Sequence, residues 1–190
     1  MQKYVNVLAV TLGLTVAALS AATSTAIAHD DHHHYKHRML PGLDKQQIRL
    51  ADIEPLIQRV KRSDVISSEQ VGTSYEGRPI YRFKAGHGDT IVLMWSQMHG
   101  DESTATPALF DLMHKIENDE HWRAHWADAI TLYMLPMVNP DGAERAQRYN
   151  VQGIDVNRDA RALQTPEGRV LMEQGKSLQP DFGFNLHDQS

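Results

Sequence analysis

The apolar run "TIVLMWSQ", Thr90 to Gln97, breaks into "MHGDE" and then turns at once into a helical pattern. An unbroken apolar strand of that length predicts a central strand covered on both faces. Its exposed end delivers His99 and Glu102, three residues apart, which is half of a metal site. The rest of the chain has to supply the other half. In the helix that follows, Ser103, Thr104 and Thr106 are candidate caps, and Pro107 sits in the first turn. Leu109, Phe110, Leu112, Met113 and Ile116 form its buried stripe.

Around that unit, strands alternate with helices. Ile48, Leu50, Ile53, Leu56, Ile57 and Val60 recur at helical spacing, and Pro55 predicts a break between two short helices. The stretch "SEQVGTSYEGRPIYRFKAG" predicts two strands joined at Glu76-Gly77-Arg78. Ala129 to Val138 is a second buried strand, stopped by the turn signal Asn139-Pro140-Asp141-Gly142. Thr165-Pro166-Glu167 opens another helix as cap, first-turn proline and first-turn acid. "DFGFNLHDQS" ends the chain as a short strand stopping at His187. Such alternation predicts an α/β sheet with its functional residues at the carboxyl ends of strands, where His99, Asn139 and His187 all fall.

The N-terminus reads differently. Residues 1–28 have Lys3 in a short leading region, an apolar core from about Val7 to Ala18 and a small-x-small close at Ala26-Ile27-Ala28. That is the pattern of a secretory signal removed before His29, with an apolar core too short to span a bilayer comfortably. The expectation is a periplasmic or secreted protein with no stable membrane anchor after cleavage. Export leads to an oxidising compartment, yet cysteine is absent, so the mature domain is held by its core and a metal rather than by disulfides. Loss of Lys3 would move the formal charge from −5 further negative. No basic tract suggests nucleic acid. Residues 29–43 form a His-rich arm carrying five of the eleven histidines, and are read as disordered and outside the site. The domain proper then runs over residues 44–190.

Two histidines and one glutamate are a known catalytic zinc set, leaving a fourth position for water. His99 and Glu102 at a turn into a helix, with the distant His187 from a neighbouring strand, could close on one ion. Spacing alone is weak, because His114 with Glu117 repeats it and His121 with His125 has helical zinc-ligand spacing. Those pairs lie in polar, charge-rich sequence, whereas His99 directly follows a buried strand. A bound Zn2+ would polarise a carbonyl and lower the pKa of its water. Between Glu144 and Arg161, Arg145, Arg148, Arg158 and Arg161 stand among Asn150 and Asn157. Arginine forks and amides suit a carboxylate or an oxyanion.

Taken in order, "HGDE", "NPDG", "RYNVQGIDVNRD" and "FNLHD" resemble the zinc carboxypeptidases related to carboxypeptidase A, the M14 peptidases. The resemblance begins near Val71, with the strand pair before the metal strand. It implies an α/β fold with a mixed twisted sheet flanked by helices, of phosphorylase/hydrolase-like type, and one Zn2+ on His99, Glu102 and His187. It further implies that Arg148 polarises the scissile carbonyl and steadies the oxyanion. Asn157 and Arg158 would grip the substrate's C-terminal carboxylate, and Asp155 would orient the first histidine. The family's general-base glutamate and substrate-capping tyrosine lie downstream of the third ligand. The chain is therefore expected to be an N-terminal part of such a domain, truncated, poorly folded and inactive alone, since a lost general base costs about two to four orders of magnitude. The implied partner is a peptide or peptidoglycan-derived substrate with a free C-terminal carboxylate. Two rival readings are a metalloamidase acting on peptidoglycan stem peptides or acylated amino acids, and a catalytically inactive zinc-binding remnant.

Overall fold

The computed structural model describes residue 40 and residues 42–188. The expected signal sequence and the histidine tract at 29–37 lie outside the described residues. The end of the expected arm is packed, not free: Leu40 and Leu43 are buried in the core, and the Leu40 amide donates to Asp111 Oδ1 at 3.1 Å. Two leucines in a short stretch are enough to bring it onto the apolar face.

Helix α1 (Leu50–Val60) opens on the Asp52 carboxylate, which accepts from the Arg49 amide at 2.9 Å. It runs through Pro55 as one helix, where the sequence predicted two. Proline inside a helix costs about 3 kcal/mol. Burial of Ile53, Ile57 and Val60 against the sheet returns about 1.5–3 kcal/mol each, so packing outweighs the break.

Strands β1 (Ile66–Thr73) and β2 (Pro79–Gly86) form the expected antiparallel hairpin, and Gly77 takes the left-handed conformation at its turn with φ of 83°. Strand β3 (Thr90–Ser96) leads into α2 (Ala105–Asn118), and a short α3 (Glu120–Ala124) precedes β4 (Ile130–Leu135). Asn139-Pro140-Asp141-Gly142, expected as a turn, instead opens a short helix α4 (Pro140–Glu144). The Asn139 side chain caps it by accepting from the Gly142 amide, and Pro140 fits the first helical position. Helix α5 (Pro166–Leu178) begins as predicted, with Thr165 Oγ1 accepting from the Gly168 amide, and β5 (Phe182–Leu186) follows.

The five strands lie in the order β1-β2-β4-β3-β5. The hairpin joins β4 antiparallel, while β3 runs parallel to both β4 and β5, so the sheet is mixed. One face packs α1 and α2 around Phe83, Phe110, Met113 and Met134; the other packs α5 around Ile80, Leu93 and Leu135. Because β3, β4 and β5 are parallel, their carboxyl ends share one edge of the sheet. Strand β5 pairs with β3 alone among the described strands and leaves Phe182 and Phe184 largely exposed, so β3 is less completely covered than its apolar run predicted. Among the described residues, no helix is long and apolar enough to cross a membrane.

The hairpin turn is tied down electrostatically. Glu76 accepts from Arg145 Nη2 and Arg78 Nη1, each at 2.6 Å, and these bonds overcome its desolvation to lower its pKa from 4.5 to about 2. A carboxylate whose folded pKa is depressed stabilises the fold above the unfolded pKa, and that contribution fades as pH falls from 4.5 towards about 2. Urea midpoints of the parent and of Glu76→Gln should therefore differ at neutral pH and draw together as pH falls towards about 2. A gap that stays constant over that range would remove Glu76 as a source of acid sensitivity.

Candidate metal centre

The turn after β3 is built by an uncommon backbone. Gln97 leaves the strand in the left-handed region, φ 49°, while fully buried. A non-glycine residue adopts that conformation only when its surroundings hold it. Its amide nitrogen donates to Ile48 O at 2.7 Å and Gly100 O at 3.1 Å, and its oxygen accepts from Thr106 Oγ1 at 2.7 Å. Ser103 and Thr106, expected as helix caps, are thus turned inward. Ser103 Oγ accepts from the Ile48 amide, and Thr104 at the N-cap makes no capping bond of its own.

Gly100 allows this turn to lie flat against α4. A Cβ there would sit 1.9 Å from the Gly142 carbonyl carbon, and a Cβ on Gly142 would meet the Tyr149 carbonyl oxygen at 2.7 Å. The "HGDE" and "NPDG" motifs therefore meet back to back through their glycines. Gly100→Ala should lower stability by about 1–3 kcal/mol, the usual cost of overpacking. Thermal melts would register it, and an unchanged midpoint would mean that the backbones separate freely.

The same turn brings the candidate ligands together. The Glu102 amide donates to His99 O at 3.2 Å, which brings the side chains three residues apart into contact. His99 is 1% exposed; its Nδ1 lies 2.7 Å from Glu102 Oε1 and its Nε2 lies 3.0 Å from Asp155 Oδ1. From the end of β5, His187 Nδ1 reaches Glu102 Oε2 at 2.6 Å, and the two imidazole centroids stand 4.8 Å apart. His99, Glu102 and His187 each offer a ligand atom within 4.8 Å of the other two, and they are the one such group of three or more among the described residues. His114 and Glu117 are not drawn together: His114 contacts Asn118, and Glu117 pairs with Arg59. His121 and His125 stack edge to face without a third ligand.

Around this trio the long loop before α5 contributes two more predicted residues. Arg148 donates through Nε to Asp155 Oδ2 at 3.1 Å and through Nη1 to Glu102 Oε1 at 3.4 Å. Asp155 thus touches both His99 and Arg148. Burial acts to raise the pKa of Glu102, but hydrogen bonds from His187 and His99 outweigh it and leave the carboxyl below its ordinary range. Burial likewise opposes ionisation of Asp155, and the bond and charge of His99, with Arg148 behind them, hold it low. The carboxylates are therefore available as anions to imidazole and metal.

Asn157 and Arg158 sit differently. The Asn157 amide donates to Asp155 Oδ1 at 2.9 Å, and its side-chain oxygen accepts from Asn185 Nδ2 at 3.4 Å. Arg158 is exposed and has no ion-pair partner among the described residues, so it is free to meet an external anion. Asn157 and Asn185 border an apolar cleft of about 270 Å³ floored by Trp95, Met98, Leu171 and Met172. Asp188, which ends the "FNLHD" motif and had no expected role, braces the site: its amide donates to Glu102 Oε2 at 3.3 Å, and its carboxylate accepts from the Thr104 amide and hydroxyl. An acid directly after the third histidine was the only signal for it.

The donor set fits Zn2+. Two imidazole nitrogens and a carboxylate converge, and the far nitrogen of His99 is fixed by a carboxylate, as zinc-bound histidines require. The family model described as zinc carboxypeptidase matches residues 53–178. Carboxypeptidase 2 of Trichophyton rubrum is 27% identical over 97 residues, covering 50% of this chain and 18% of that protein. A metallo-carboxypeptidase from Burkholderia cenocepacia superposes with a TM-score of 0.69 at 21% identity, over 75% of this chain and 42% of that one. A metallo-carboxypeptidase from Pseudomonas aeruginosa, solved with (2-guanidinoethylmercapto)succinic acid, superposes with a TM-score of 0.65 at 22% identity, over 75% and 40% of the two chains. The chain thus spans less than half the length of these proteins.

Proposed function

Because this chain belongs to the zinc carboxypeptidase family, we propose that the whole protein is a metallocarboxypeptidase that removes the C-terminal residue of a peptide. The observation that carries the reading is the convergence of His99 Nδ1 and His187 Nδ1 on the two oxygens of Glu102, with the Arg148 guanidinium beside them.

One Zn2+ held by His99, Glu102 and His187 would supply Lewis acidity to a carbonyl and to water. The protein's residues do the rest. Asp155 holds His99 through Nε2, so that its Nδ1 faces the ligand position. Arg148, fixed by Asp155, presents its guanidinium where negative charge would develop on the substrate oxygen. Arg158, exposed, and Asn157, at the border of the cleft, would hold the terminal carboxylate and set which bond is cut. Glu102 and Asp155 are committed to the imidazoles, so neither is free to take the proton from water. Likeness to an enzyme solved with a succinic acid derivative supports a substrate that ends in a carboxylate. The signal-like residues 1–28 support a periplasmic or secreted site of action.

Hydrolysis of a free-ended peptide compared with its C-terminally amidated twin tests the proposal. Strong preference for the free carboxylate is expected. Equal rates would sink the exopeptidase reading and favour an amidase on the same fold.

A further inference from the structure

The loop that carries both Arg148 and Asp155 is organised from inside by a carboxylate that touches neither. Glu167, in the first turn of α5, is fully buried, as is Asn150, which lies between Arg148 and Asp155 in sequence. Glu167 Oε1 accepts from the Tyr75 amide and Oε2 accepts from Asn150 Nδ2, both at 3.1 Å. The opposite side of the Asn150 amide accepts from the backbone N–H of Gln152 at 3.0 Å and of Ile154 at 3.1 Å. The Asn150 backbone closes the same loop by donating to Ile154 O at 3.0 Å, and Gly153 turns it at φ 75°.

A buried carboxylate without a cation is costly, and here it satisfies two donors that an apolar side chain would leave unpaired. The first-turn position offsets part of that cost through the helix dipole. What only a carboxylate does here is accept on both oxygens. That fixes the orientation of the Asn150 amide, because its NH2 must face Glu167 and its oxygen must then face the loop amides. The reverse orientation would set oxygen against oxygen on one side and N–H against N–H on the other.

We infer that Glu167, acting through Asn150, is a positioning residue for Arg148: it locks the 150–154 loop in the one shape that places the Arg148 guanidinium against Asp155 and Glu102. This rests on the proposed carboxypeptidase reading for its catalytic consequence, but its structural consequence stands independently. The hairpin turn is part of the same lock through Tyr75, so the β1–β2 turn bears on the site.

The test is a reciprocal swap in the full-length protein loaded with Zn2+. Glu167→Gln presents one NH2 and should disorder the Asn150 amide. Turnover of a free-ended peptide should fall by roughly 10- to 100-fold in kcat, with KM and Zn2+ affinity little changed. Asn150→Asp sets two carboxylates face to face and should be at least as damaging. The double variant restores the bonds at position 167 and to the loop amides, since the amide introduced on α5 can donate to the carboxylate introduced in the loop and still accept from the Tyr75 N–H; only the Gln152 side chain, exposed, loses the Asn150 donor. It should recover most of the lost kcat. The Arg148 Nε–H resonance, held by Asp155, supplies a readout that needs no activity: it should shift in each single variant and return in the double. Unchanged resonance and kcat in Glu167→Gln would overturn the inference. So would a double variant that recovers neither, whether or not it folds. If the parent hydrolyses no peptide while the resonance behaves as described, the carboxypeptidase reading fails and the positioning role stands.

Discussion

His99→Ala is expected to abolish Zn2+ binding at micromolar free metal and to reduce peptide hydrolysis by the full-length protein to background. His99 is the most buried of the three candidate ligands and the only one whose second nitrogen is also held. Among the described residues, His187 Nε2 has no partner, so the site's orientation is set chiefly from the His99 side. Alanine removes one ligand and also leaves Glu102 Oε1 and Asp155 Oδ1 without the ring that separates and bonds them. Taking one hydrogen bond from each of two partly buried carboxylates costs about 1–3 kcal/mol, so the variant should also melt earlier. Competition with a chromophoric chelator reports metal affinity directly. Binding as tight as the parent's would take His99 out of the ligand set. His121→Ala, which changes one of two stacked surface histidines, should leave affinity untouched.

The second large effect is expected at Arg148. Arg148→Ala should lower kcat by about 100- to 1000-fold, the usual cost of removing one donor from an oxyanion site, with KM for a free-ended peptide nearly unchanged. Its side chain is 39% exposed and bridges Asp155 and Glu102, so it faces the open side of the metal centre. Zn2+ affinity should fall far less than in His99→Ala, because no ligand is lost. Arg148→Lys should not rescue the rate, since a point charge cannot keep both the Asp155 contact and the fork. A main effect on KM instead would move Arg148 from the reacting carbonyl to ground-state binding.

In the sequence, His99 and Glu102 stood out because they lie three apart directly after a buried strand, whereas His187, Arg148 and Asp155 took their expected roles from the resemblance of the ordered motifs to zinc carboxypeptidases. The His99 to Glu102 turn closes on its own backbone bond, and Asp155 and Arg148 belong to one loop. The α/β alternation and the start of α5 were legible because strand runs, caps and first-turn prolines act within a few residues. Pro55 misled because its penalty is local, whereas the burial that overrides it comes from the sheet. Asn139-Pro140 misled because a capping side chain and a turn share the same residues until a helix has something to pack against.

Other features were decided only by tertiary structure. Nothing local says that Gln97 must be left-handed, that Gly100 must lack a Cβ because Gly142 lies against it, or that Asp188 braces Glu102. Nor does the sequence around Glu167 distinguish a first-turn acid that favours a helix dipole from a buried carboxylate orienting Asn150 seventeen residues away. The candidate residues of the site were legible in short motifs taken in order. How each is held at its angle was set by contacts between distant segments, because orientation in a packed interior depends on donors and acceptors that only the fold brings within about 3 Å.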